Sequence, residues 1–488
     1  MARFGFVGGS YQSESPYSDA ESTMNWYPET MESQGAKSAM TLYPTPGLSA
    51  FGAGLGNPIG QLLSVNGRLF GVETQSGAAN FYEFNSSGTI ARSFSMAAGA
   101  TSLVAGNFYV FAVGNGHAYA FKLANNTFTE VTSSLAQSNP TLGFFIDGYY
   151  GVIFGNSNEF QISSLEDPTT WNGVDVAQVS VFPENLVGCL VDHRVLWLWG
   201  SQHAQAYYNS GDPTFPLNVI PGGFIEQGLD SPTCPVRMDN SVFWIGSDER
   251  GAGIAWRANG YTPVRVSNHA IENKWKSYPA GVTDSIGWTY QDKGHTFWVL
   301  YFPSGNATWV YDAATNLWHQ RGHWNGTSQD AHWGISHAYC FGQHLIGSRA
   351  STNIYSMSTG YNDDAGTTIV RERVAPIVST ELEYMFHRQV TVDVQPNTAN
   401  AGDNNANISI YWSDDGGTTW VGPKTVFAGN ATSTVQRCVL RRLGRSRQRI
   451  YKINVSDSIP WRIMDAYLLA DPGFQHVPRL SKYFGQMQ

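Results

Sequence analysis

Positive charge is scarce in this chain of 488 residues, which sets 29 Lys and Arg against 38 Asp and Glu. A net charge of −9 excludes a surface that wraps nucleic acid, because that task needs a broad excess of Lys and Arg. Local basic patches remain open to it. Cysteine is equally sparse: Cys189, Cys234, Cys340 and Cys438 are scattered without C-x-x-C spacing. They read as buried thiols made in a reducing cytoplasm, not as disulfides or a metal site. No run of about 18 apolar residues is present to span a membrane. The opening Met1-Ala2-Arg3-Phe4-Gly5 leads into Gly, Ser and acidic residues, so no secretory leader is expected. Helix signals are nearly missing too. The best is Ser267 to Trp275, where Ser267 or Asn268 can cap the first turn and Ile271 and Trp275 share a face.

What the chain has in quantity is glycine and aromatic side chains: 51 Gly, 22 Pro and 14% Phe, Trp and Tyr. Tight turns and large side chains between sheets suit an all-β protein. Seven hairpin signatures recur between residues 60 and 350. Turn pairs Asn66-Gly67, Gly106-Asn107, Asp147-Gly148, Asp192-His193 and Asp239-Asn240, the stretch Asp292 to Gly294, and Gly342-Gln343 each separate two apolar runs. Asn-Gly and Asp-Gly are strong hairpin signals because a primed turn needs positive φ at both centres. The turns lie roughly 40 to 50 residues apart, the period of a four-stranded propeller blade. Within the series Thr308 to His319 alternates as strand, turn and strand, with bulky residues to fill the gap between blades.

The resulting expectation is an irregular six- or seven-bladed β-propeller over residues 56–360, flanked by two different segments. Residues 1–55 read as an extended N-terminal arm, broken by Pro16, Pro28, Pro44 and Pro46 and anchored by Trp26, Tyr27 and Tyr43. A polar linker begins near Gly360. Residues 361–488 then carry five strand candidates, Arg388 to Val394, Ile408 to Trp412, Thr434 to Leu440, Ile450 to Val455 and Trp461 to Leu469. These suggest a β-sandwich-like domain, with a polar, mobile loop between 396 and 406.

No catalytic constellation stands out. Ser413-Asp414-Asp415-Gly416-Gly417-Thr418-Thr419-Trp420 matches an Asp-box, a structural hairpin turn found in sialidases and in many other β-proteins. His319, His323, His332, His337 and His344 cluster among tryptophans without metal-ligand spacing, and read as hydrogen-bonded core or interface residues. Asp147, Asp248, Glu249 and Glu272 could supply a carboxylate pair, but none sits in a glycosidase context. Walker, G-x-S-x-G and H-E-x-x-H motifs are absent. No cofactor or metal is expected.

The densest charge feature is a run of six arginines in thirteen residues, Arg437, Arg441, Arg442, Arg445, Arg447 and Arg449. The period of two puts Arg445, Arg447 and Arg449 on one strand face. They read either as a solvated or internally paired face, or as an interface that meets carboxylates or phosphates in bidentate pairs.

Four stretches together resemble the packaged-DNA stabilisation proteins, or tail accessory (tail hub) factors, of short-tailed bacteriophages. They are Met24-Asn25-Trp26-Tyr27-Pro28-Glu29 running on to Leu42-Tyr43-Pro44-Thr45-Pro46-Gly47-Leu48, the helix Ile271 to Tyr278, the hairpin ending Val310-Tyr311-Asp312, and Arg442-Leu443-Gly444-Arg445-Ser446-Arg447. The resemblance implies a structural virion protein made in the host cytoplasm, with no enzymatic step and no membrane. Six copies would form a ring below the portal and head-to-tail adaptor, extend the DNA channel, and help retain genomic DNA without sequence specificity. The ring would dock the tail needle or plug and the tailspikes or fibres. Arg441, Arg442, Arg445, Arg447 and Arg449, with Trp26, Tyr27 and Tyr43, are the expected subunit or adaptor contacts. Two competing readings are a sialidase-like propeller glycosidase or lectin, and a receptor-binding protein at the tail tip.

Overall fold

The structure, a computed structural model, describes residues 2–33, 35–52, 55–132, 135–248, 251–380, 383–396, 406–429 and 436–473. It divides the chain into two compact units, residues 45–370 and residues 1–44 with 371–488.

The first unit is the propeller. Six antiparallel groups of four consecutive strands follow one another over 59–96, 102–130, 140–178, 188–225, 236–265 and 286–324. A seventh sheet takes three strands from 334–358, and its fourth is Gly47–Gly52, which pairs antiparallel with Ile354–Ser358. The strand that begins the unit thus completes the sheet that ends it. Closure covers the faces that the first and last blades of an open array would expose, and each blade keeps only short edges.

Adjacent blades are glued face to face by the aromatic and branched residues that the composition foreshadowed. Leu62, Leu69 and Phe84 of the first blade pack with Ala338, Leu345 and Ile354 of the seventh. Trp199, Trp244, Trp298 and Trp309 share a core that runs through blades four, five and six. Such rings bury large apolar areas and dominate the energetics of the contact. The one helix among the described residues, His269–Lys276, follows blade five; Asn268 caps it by accepting a hydrogen bond from Ile271 N, and Trp275 is fully buried.

The hairpin turns follow the expected chemistry, with three shifts. Asn66-Gly67 and Asp147-Gly148 hold positive φ at both centres, 52° and 71°, then 47° and 93°. At three sites the crossing pair lies one residue from the expected one, at Asn107-Phe108, where Gly106 N donates to Tyr109 O, and at His193-Arg194 and Phe341-Gly342. There the ladder pairs Asp192 with Val195 and Cys340 with Gln343, so side-chain alternation on the flanking strands overrides the local turn preference.

The second unit is a two-sheet sandwich. One sheet orders Trp26–Thr30, Met40–Pro44, Trp461–Pro472, Met385–Pro396 and Gln436–Arg441; the other orders Ala20–Met24, Arg371–Val374, Gln448–Val455, Ala406–Ser413 and Val421–Gly429. Trp26, Val392, Ile408, Tyr451 and Ile463 from both sheets form its core. The expected arm is therefore corrected. Ala20–Met24, Trp26–Thr30 and Met40–Pro44 are strands of the sandwich, and Gly47–Gly52 belongs to the propeller. Prolines ruled out helices there, but they do not bar strands at sheet edges. The expected polar loop at 396–406 lies almost wholly outside the described residues.

Candidate functional site

The arginine run is split by a change of sheet. After Gln436–Arg441 the chain turns through Arg442 and Gly444, whose φ values are 62° and 77°. It re-enters as Arg445–Ser446, paired with Met385 and Phe386, and bends at Arg447 before Gln448–Val455 begins in the opposite sheet. The expected continuous ladder is thus broken. Arg445 and Arg447 point outward, each over the Tyr384 ring at 4.7 and 4.8 Å from its centroid, whereas Arg449 is buried. Arg449 donates to both Asp414 carboxylate oxygens and to Leu443 O, and its guanidinium lies over Trp412. It is an internal clasp.

Beneath the outward pair, Ser446 shares a hydrogen bond with His387 Nε2 at 2.8 Å, and Tyr451 shares one with His387 Nδ1 at 2.7 Å. Burial, helped by the nearby Arg449 charge, pulls His387 down to about 4, so the imidazole is neutral near pH 7. This buried polar chain fixes the backbone between the two exposed arginines. Arg441 donates to Gln389 at the same edge. Among the described residues no carboxylate lies within ion-pair distance of Arg441, Arg442, Arg445 or Arg447. Phe386 and Leu469 are exposed on strands of this sheet, and Arg388 lies over the Phe386 ring.

The aromatic candidates are placed differently. Trp26 and Tyr27 are buried in the sandwich, and Tyr43 stacks on Tyr27 with centroids 5.9 Å apart. Arg462 covers Tyr43, and Arg371 covers Trp26. The expectation that they lie across a neighbour is corrected for Trp26 and Tyr27, which serve the chain's own core. Trp26 faces the sandwich core, whereas Tyr27, next to it on the strand, points to the opposite face and pairs across the ladder with Tyr43, a pairing that local sequence does not carry.

A cavity of about 770 Å³ is lined by residues of the first hairpins of blades four to seven, among them Asp192, Asp239, Tyr290 and His337. Its two carboxylates are both engaged, Asp192 by His193 and Asp239 by Arg257, each at 2.7 Å. His337 and His344 share a hydrogen bond at 3.0 Å on its wall, and burial lowers His337 to about 3. The other glycosidase candidates are also committed: Asp147 to Arg194 and Glu272 to Arg265. Asp248 accepts from Gly251 N, and Glu249 lies outside the described residues. The Asp-box forms its turn, with Asp415 accepting from Thr419 N at 2.8 Å. Among the described residues no group of His, Cys, Asp and Glu could hold a metal ion. No helix there is long and apolar enough to cross a membrane.

The sequence matches the profile of a family described as "Bacteriophage P22 Gp10, beta-propeller" over residues 4–361. A second, "Bacteriophage P22 Gp10, beta-sandwich", matches residues 370–470. No curated protein sequence matches the chain. Among solved structures, the N-terminal domain of Nup159 is similar with 9% identity and a TM-score of 0.40, covering 69% of this chain and 98% of that one. The Neurospora crassa Pan2 WD40 domain is similar with 9% identity and a TM-score of 0.42, covering 68% and 97%. BamB from Moraxella catarrhalis shows 12% identity and a TM-score of 0.36, covering 64% and 99%.

Proposed function

The chain belongs to the bacteriophage P22 Gp10 family of phage structural proteins, and on that premise we propose that it is the hub of a short phage tail. Six copies form a ring beneath the portal and its head-to-tail adaptor. The ring extends the DNA channel, and it offers docking surfaces to a tail needle or plug and to tailspikes or fibres. The observation that carries this reading is that the two family profiles together span both units, over residues 4–361 and 370–470.

The physical character of the chain supports a mechanical role. A propeller closed on itself and a two-sheet sandwich are rigid bodies that hold surfaces at fixed places. Retention of packaged DNA then works by obstruction, with no bond made or broken. A net charge of −9 suits a channel along which a polyanion slides without sticking.

The test uses genome-filled particles that lack this protein. Purified protein is added, and sixfold rings are sought by electron microscopy while DNA release is followed by nuclease sensitivity. A ring on the particle vertex with protected DNA is the expected result. Protein that fails to bind particles, or binds without protecting DNA, overturns the proposal.

A further inference from the structure

Charge along this chain is strongly segregated. Between Leu123 and Val236, eleven Asp and Glu stand against one cation, Arg194. From Gly416 to Ser456 the chain carries eight Lys and Arg and no carboxylate. The first stretch builds blades three and four of the propeller; the second builds the arginine edge of the sandwich.

Each region also exposes apolar side chains that folding leaves unburied. On the outermost strands of blades three and four, Asp167–Gln178 and Leu217–Ile225, Val174 is 75% exposed and Val219 and Phe224 are exposed as well. Val181 is exposed in the segment that follows the first of these strands. Glu226 is exposed immediately after the second, and Asp175 is half-buried on the first. The lone cation of this stretch, Arg194, is already held by Asp147 in two hydrogen bonds. The sandwich edge presents the reciprocal chemistry. Tyr384 is 42% exposed between Arg445 and Arg447, with Phe386 and Leu469 on the same sheet. Stacking on Tyr384 restrains both guanidinium groups before any partner arrives, which lowers the ordering cost of a bidentate contact. Exposed Tyr and Arg without internal carboxylate partners are the residue types that anchor protein interfaces.

We propose that the Arg445–Tyr384–Arg447 edge of one copy docks on the acidic, apolar rim of blades three and four of a second copy. Two different surfaces meet, so the contact is head-to-tail, and repetition closes a ring or extends a filament. Charge complementarity selects this occupant: the chain itself displays carboxylates to meet the guanidinium groups of Arg445 and Arg447, which have no ion-pair partner among the described residues, and apolar side chains to meet Tyr384 and Phe386. The pairing rests on the tail-hub reading only for closure into a ring; the dimeric contact stands without it.

The test is sedimentation velocity on the full chain with two double variants, Arg445→Glu with Arg447→Glu, and Asp175→Lys with Glu226→Lys. Circular dichroism checks that each is folded, and Arg445→Gln with Arg447→Gln replaces the first if it is not. Wild type self-associates, and each variant alone loses association by about tenfold or more. An equimolar mixture of the two variants recovers association, because the Arg edge of the rim variant meets the unchanged rim of the edge variant and the new Glu edge faces the new Lys rim. A monomeric mixture, a monomeric wild type, or a variant that associates like wild type overturns the proposal. So does an edge variant that loses binding to a DNA oligonucleotide while its self-association is intact, which would give the edge to phosphate. Intact self-association with no docking on particles defeats the tail-hub reading and leaves this contact standing.

Discussion

Arg449 and Asp414 are joined by two parallel hydrogen bonds of 2.6 and 2.7 Å, with the guanidinium buried and the carboxylate at the surface. The pair ties the start of Gln448–Val455 to the Asp-box turn that follows Ala406–Ser413. Replacing Arg449 with Met keeps the stem but leaves Leu443 O without its donor and frees Asp414 to water. Because the carboxylate is half in solvent, the expected loss is about 1–3 kcal/mol, below that of a fully buried pair. Urea unfolding followed by fluorescence measures it, with the lowered midpoint in the sandwich transition. An unchanged midpoint would show that the clasp adds nothing.

Tyr384→Ala separates packing from assembly. The ring is exposed and its loss leaves no cavity, so melting should move by no more than about 0.5 kcal/mol equivalent. Arg445 and Arg447 lose their shared platform, and self-association should weaken by roughly twofold to thirtyfold, the range of one or two cation–π contacts. Tyr384→Phe should restore most of it, since the ring face is kept. Analytical ultracentrifugation of the three proteins decides.

Gly88 marks the closure of the propeller. Its φ is 80°, and a Cβ there would lie 1.8 Å from Phe51 O on the closing strand. Gly88→Ala therefore meets backbone on one side and strain on the other, at a cost of about 2 kcal/mol or more. Scanning calorimetry should show the propeller transition lowered, and proteolysis should cut first near the closing strand. A variant that melts like wild type would mean that the closing strand can shift without loss.

Acid should unfold the propeller through its buried histidines. Burial lowers His319 to about 3 and His337 to about 3, below the usual value of 6.5. Their folded-state values are depressed, so the unfolded chain binds protons first as pH falls below 6.5. Stability is full above that point and falls between about 6.5 and 3, each histidine contributing up to about tenfold in the unfolding equilibrium per pH unit. His319→Gln and His337→Gln should flatten the slope of stability against pH over that window. Equal slopes in wild type and double variant would contradict the assignment.

Local signals were enough for the repeating architecture. Asn66-Gly67 and Asp147-Gly148 are hairpin turns for a stereochemical reason confined to two residues, and alternating aromatic runs beside them pair with their nearest neighbours in sequence. Asn268 caps its helix within three residues. The membership of Gly47–Gly52 in the seventh sheet could not be read the same way, because its partner Ile354–Ser358 lies some three hundred residues away and no local pattern encodes that pairing.

The fate of the arginine run shows the same division. Its density, and the absence of any carboxylate from Gly416 to Ser456, are properties of the sequence, and they identify the edge as unbalanced in charge. Which guanidinium groups face solvent depended on the switch between sheets at Arg447, and on Asp414, thirty-five residues away from Arg449. Composition and turn chemistry determined an all-β chain of repeating hairpins. Only the tertiary structure decided ring closure, the burial of Trp26 and Tyr27, and the pairing of Arg445 and Arg447 about Tyr384, because each arises from contacts between segments distant along the chain.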